Sequence, residues 1–112
     1  MVRHPVAPLL VLLLAAVVLA PLWEELTFRG FLLSALAQSR LGFRGAALVT
    51  NSAWTALHWN YSAAGLTAVF TAGTVLTWLL WRTGSIRVPI AAHGIANLFA
   101  VLFAFWMGGG LS

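Results

Sequence analysis

Cysteine is absent. That removes a disulfide framework, a thiolate nucleophile and any Cys-based metal site from consideration. Charge is nearly absent too: Asp, Glu, Lys and Arg together make 7% of the chain, where a soluble domain carries about 25%. Such a chain cannot cover a water-facing surface. Its acidic residues are two neighbours, Glu24 and Glu25, and no others. What fills the sequence instead is apolar, 62% of residues by count, with a mean hydropathy of +0.96. Lipid is therefore the main solvent, and 112 residues leave room for one membrane-embedded domain, 1–112.

The basic side consists of six arginines, with a pI near 11.7. In a soluble chain that balance would suggest nucleic acid; the placement of the arginines excludes such a partner. Arg3, Arg40, Arg44, Arg82 and Arg87 stand at the ends of apolar runs, where basic residues set topology by the positive-inside rule. Only Arg29 lies inside a run. The N-terminus resembles a secretory signal peptide as far as Ala20. Pro21 directly after the cleavage point, and a helical pattern continuing from Trp23 to Gln38, predict that the segment is kept.

The apolar runs predict an all-α, polytopic transmembrane bundle of about four helices. The first covers residues 6–38, is long and kinked near Pro21, and at about 1.5 Å per residue exceeds a hydrocarbon core of roughly 30 Å. It must tilt, bend or protrude. A connection at 40–45 leads to the second helix, 46–59, followed by a turn at 60–62 where Tyr61 suits the interface. The third covers 66–81, with scattered Thr and Gly suited to close packing, and residues 82–85 end it. The fourth starts near Pro89, a residue favoured in the first turn, and runs to about Met107 before a glycine tail expected to fray. Counting the first run once puts both arginine-bearing connections, 40–44 and 82–87, on one side. That side is then cytoplasmic and both termini face outward.

A charged side chain at the bilayer centre costs about 2.5–3.5 kcal/mol even on the lenient insertion scale, so Glu24, Glu25 and Arg29 need a reason to be there. Glu25 and Arg29 are four apart, share a helix face and form a pair. Glu24 points about 100° away from its neighbour and has no local partner. It is the free acid. Asn51, Thr55 and His58 make a polar stripe on the second helix, and His93 and Asn97 share a face of the fourth. Each has a plain reading by itself: a protonated carboxyl bonded to a neighbouring helix, an interfacial histidine, a His–Asn pair joining helices. Together, one free carboxyl, two imidazoles and an amide make a hydrolytic set, with a base to activate water and donors for an oxyanion.

Glu24-Glu25-x-x-x-Arg29 (with Phe28 and Gly30 beside the arginine), Trp54-x-x-x-His58 and His93-x-x-x-Asn97 resemble the three motifs of the CPBP family. These are the CAAX-prenyl endopeptidases and the bacteriocin-processing or bacteriocin-immunity membrane proteins also called Abi. The resemblance runs from about Val6 onward and includes the approach from Arg82 through Pro89 to His93. It implies a multi-pass intramembrane protease of the bacterial cell membrane, acting on a peptide or protein that is prenylated or bacteriocin-like. It further implies that Glu24 and His58 activate the attacking water, that His93 and Asn97 form an oxyanion hole, and that Glu25 and Arg29 support the site. Two departures stand out: Trp54 where the family usually has Phe, and the family's additional helices before the first motif, which this sequence lacks.

Other readings stay open. Metal-free water activation is favoured over a divalent metal such as zinc held by Glu24, His58 and His93, since no His-Glu-x-x-His occurs. A non-catalytic membrane scaffold or bacteriocin-immunity protein would use the same polar cluster for assembly. A proton-coupled transporter would use Glu24 and the histidines as a relay, for which four helices are few. All share one spatial difficulty. By helical rise from the arginine-rich side His93 lies about 9 Å deep, but Glu24 and His58 about 20–25 Å. They meet only if residues 87–89 dip inward as extended chain or the helices tilt strongly.

Overall fold

The apolar runs fold as four helices, with no strand among the described residues, in a computed structural model that describes residues 6–108. The expectations for Arg3 and for the tail beyond Gly108 fall outside that range. Helix α1 spans Ala7–Ala37, α2 Gly42–Ala56, α3 Ala63–Thr83 and α4 Arg87–Met107. Three of them, α1, α3 and α4, are long and apolar enough to cross a membrane. Helix α2 has 15 residues and rises only about 22 Å. Leu10, Val11, Phe31, Phe99, Phe103 and Trp106 stand exposed around the bundle, an arrangement that hydrocarbon tolerates and water does not. The chain is an integral membrane protein.

The helices form a ring. The second half of α1 packs on α2, its first half packs on α4, and α3 closes the circuit between α2 and α4. All four helices contribute to the small core: Phe28, Trp54 and Leu76 are buried together, with Leu32, Val69 and Ala92 packed against them. Phe43 and Arg44 at the start of α2 lie across a groove from Trp78 and Trp81 near the end of α3. Both arginine-bearing connections are therefore at one end of the bundle.

Two stretches of α1, Leu14–Leu19 and Glu25–Leu32, are π-helical, and Pro21 accounts for the first. Ala20 gives its N–H to the Ala15 carbonyl, five residues back. In that register the Ala16 carbonyl would be served by Pro21, which has no N–H. Asn97 supplies the missing donor from α4, its amide Nδ2 lying 2.7 Å from the Ala16 carbonyl oxygen. The neighbouring Val17 carbonyl faces Gly94, where a Cβ would stand 2.6 Å from the oxygen. The proline distortion and the α1–α4 contact are thus one feature. Gly94→Ala is expected to push α4 off α1 and destabilise the protein by about 1–3 kcal/mol, read as a lower unfolding temperature in detergent.

The element ends differ from the sequence expectations for local reasons. Helix α2 begins at Gly42 rather than at 46, and it stops at Ala56 rather than at 59. Its last bonds tighten to three-residue spacing, Leu57 N–H reaching the Trp54 carbonyl at 3.2 Å and His58 N–H the Thr55 carbonyl at 2.9 Å. His58 consequently sits on a turn. Helix α3 is longer at both ends because the Ser62 hydroxyl caps the Gly65 N–H, and Gly84, at φ 66°, closes the last turn onto the Leu80 carbonyl. Helix α4 starts at Arg87, so residues 87–89 are helical rather than extended; only 84–86 are not.

Candidate active site

Trp54 stands at the centre of the polar cluster, 3% exposed and wedged into the small core. Its indole Nε1 donates to Glu24 Oε1 at 2.7 Å. Its backbone carbonyl accepts from His58 Nδ1 at 3.0 Å, having lost the α-helical partner that tightened toward Thr55. A carbonyl only accepts, so that contact places a proton on Nδ1 and leaves Nε2 of the neutral ring with its lone pair. The His58 and His93 rings both meet the indole edge to face, at centroid distances of 5.1 and 5.6 Å. Glu24, His58 and His93 thus come from α1, the turn after α2, and α4 to surround one side chain. The depths that helical rise kept apart do meet.

Beneath this group lies a buried ion pair. Arg29 Nη1 donates to Glu25 Oε2 at 3.0 Å, and neither side chain has any exposure. The spacing of four anticipated this pair. The sequence did not reveal that the same Glu25 oxygen accepts from His93 Nδ1 at 3.1 Å. The contact orients the His93 ring and leaves its Nε2 for another partner. The Arg29 guanidinium carbon also stands 4.3 Å from the Trp54 ring centroid, a cation–π contact that ties the ion pair to the indole.

Asn97 is the one assigned residue that does not join the group on Trp54. One of its two amide hydrogens is given to the Ala16 carbonyl. Asn51 joins α2 to α3 instead, its Nδ2 donating to the Phe70 carbonyl at 3.0 Å and to Thr74 Oγ1 at 3.2 Å. The Asn51 oxygen and Arg29 Nη2 both crowd Gly73: a Cβ there would overlap the oxygen and stand 2.7 Å from the nitrogen. Glycine is what lets these two polar groups approach α3. Glu25 Oε1, Arg29 Nε and Nη2, Thr50 Oγ1 and Asn51 Oδ1 are buried without a protein partner. Such groups are few in native proteins, and three of these five atoms belong to the ion pair itself.

Among the described residues no group of three His, Asp or Glu side chains is arranged to hold a metal ion. The Glu24–His58–His93 set does not fit that role as placed, and no step below is routed through a metal. A cavity of about 670 Å³ also lies elsewhere. It is a groove between α2 and α3 lined by Arg44, Leu48, Asn51, Phe70 and Trp78 among others, and none of Glu24, His58 and His93 lines it. The polar chemistry, rather than the cavity, locates the candidate site.

A family profile described as type II CAAX prenyl endopeptidase Rce1-like matches residues 6–99. That span contains all three motifs. A Bacillus subtilis protein, YyaK, described as uncharacterized, is 34% identical over an alignment of 101 residues that covers 82% of this chain and 34% of that protein. The chain therefore spans about a third of the length of that relative. No solved structure matches.

Proposed function

The chain belongs to the Rce1-like family of type II CAAX prenyl endopeptidases, and we propose that it is an intramembrane endopeptidase hydrolysing a peptide bond of a membrane-associated substrate. The observation that carries this reading is the gathering of Glu24, His58 and His93 on Trp54. Glu24, with Oε1 on the indole, keeps Oε2 to take a proton from water as the water oxygen attacks the scissile carbonyl carbon. His58 Nε2 accepts the other water hydrogen and orients the attack. The carbonyl oxygen becomes an oxyanion, which His93 meets with an Nε2 proton when its ring carries both, the Glu25 carboxylate offsetting that charge. The family resemblance assigns Asn97 to the same oxyanion, but its amide is engaged by the Ala16 carbonyl away from the group on Trp54, so His93 is the donor this mechanism relies on. Collapse breaks the C–N bond, and the proton held by Glu24 passes to the departing nitrogen.

Water supply has support in the backbone. Helix α2 is too short to cross a hydrocarbon core of roughly 30 Å. Non-helical backbone at membrane depth is tolerated only where protein buries it or water reaches it, and the turn bearing His58 is such a segment. For substrate, the family description favours a prenylated C-terminal peptide, and a bacteriocin-like precursor is the second candidate.

The test is substrate trapping. The full protein in its native membranes, as wild type and as Glu24→Gln, is crosslinked to neighbouring peptides. A peptide held by the variant and found cleaved with wild type is the expected result; identical peptide profiles from both would sink the reading. A chelator is expected to leave turnover unchanged, and metal analysis to find no stoichiometric ion. Activity lost on chelation and restored by zinc would replace direct water activation by a metal mechanism.

A second reading rests on the Asn97–Ala16 bond, which joins α4 to α1, and on the Glu25–Arg29 pair, whose Glu25 oxygen also meets His93 of α4. A non-catalytic scaffold would need those contacts and not Glu24.

A further inference from the structure

We propose that the Trp54 indole is a positioning residue for Glu24, fixing through its N–H which carboxylate oxygen faces the reacting water; this inference rests on the endopeptidase reading above. The contact is short, 2.7 Å, and joins an N–H to a carboxyl oxygen, the kind of hydrogen bond that strengthens when the acceptor is ionised. An indole has one donor and no acceptor, so the direction of this bond is not in question. Its donor is also held in place. Phe28 and Leu76 pack on the ring, the Arg29 guanidinium covers it at 4.3 Å, and both histidines lean on it edge to face.

Glu24 lacks such confinement. It is only partly buried, whereas Glu25 beside it is fully buried and bound to Arg29 and His93. A glutamate side chain left free samples several rotamers and must be ordered for reaction at an entropic cost. The indole bond removes that freedom by holding Oε1, so Oε2 is the oxygen left to act as base. The same residue sets the second water-activating group through a different atom, its carbonyl accepting from His58 Nδ1. One half of this arrangement is backbone and survives any side chain at position 54. The other half requires the indole N–H.

The experiment separates those halves in the full chain reconstituted in membranes. Trp54→Phe keeps an aromatic ring against Arg29, His58 and His93 but has no donor. It is expected to lower kcat about 10- to 100-fold, the range for a hydrogen bond to a charged group, with KM held within about two-fold. Benzothienylalanine at position 54, in which sulfur replaces the N–H in a ring of the same shape, keeps the packing and is expected to show the same fall. The Trp54 indole N–H resonance in NMR is expected to move on Glu24→Gln as its acceptor loses charge, and the split between kcat and KM separates positioning from a purely structural role. Turnover near wild type in both donorless variants, with Glu24→Gln inactive, overturns this inference and leaves the endopeptidase reading standing. A loss confined to KM, or an indole resonance indifferent to Glu24→Gln, overturns it as well. Turnover retained by Glu24→Gln overturns both.

Discussion

Glu24→Gln is expected to lower kcat by about 10²–10⁴-fold, the usual contribution of a positioned general base, while the protein stays folded. The substitution is nearly isosteric. Glutamine still offers a side-chain oxygen to the Trp54 indole, so the hydrogen bond that now measures 2.7 Å keeps an acceptor. What disappears is the capacity to take a proton from water. Because the loss concerns proton transfer rather than substrate contact, KM should change little and the substrate should accumulate unreacted. Peptide cleavage in reconstituted membranes measures the first effect, and an unfolding curve in detergent measures the second. Wild-type turnover in the folded variant would remove Glu24 from the mechanism and favour the scaffold reading. Unfolding would show instead that the indole–carboxyl bond holds α1 on α2.

Local chemistry was legible in the sequence, and contacts between helices were not. The Glu25–Arg29 pair follows from a spacing of four on one helix and is found at 3.0 Å. Helix number follows likewise from apolar runs, and a disturbed helix at Pro21, found as the π-helical stretch before it, from a missing N–H. The bond from His93 to Glu25 joins residues 68 apart and depends on how α4 docks on α1, which no spacing reports. Trp54 lies between these cases. Its identity could be read as a departure from the usual phenylalanine, but the role of its N–H became visible only with α2 placed beside Glu24. Asn97 shows a further limit. Its approach to the Ala16 carbonyl depends on a change of helical register before Pro21, and hydropathy carries no trace of that register. Helix α2 ends before its apolar run does, because the backbone tightens into a turn after Ala56 and hydropathy does not report that turn.

The buried ion pair gives the largest expected effect on stability. Glu25 and Arg29 have no exposure, and Glu25 Oε2 serves Arg29 and His93 at once. Replacing Arg29 by methionine, which has an apolar side chain of comparable length, leaves the Glu25 carboxyl buried with only the His93 ring beside it. The expected cost is about 3–5 kcal/mol, because an uncompensated buried charge loses its partner without regaining water. Glu25→Gln combined with Arg29→Met should be far less damaging, since neither charge then remains in the bundle. Unfolding in detergent micelles of wild type, both single variants and the double variant yields the coupling between the two sites directly. A coupling near zero would mean that water or lipid headgroups reach the pair, and that its burial does not isolate it. A large coupling with poor turnover in a still-folded double variant would add a second role for the pair. It would then serve assembly through charge neutralisation and catalysis through the hold that Glu25 keeps on His93. The scaffold reading requires only the first of these, so the activity of a folded double variant separates the two readings without touching Glu24.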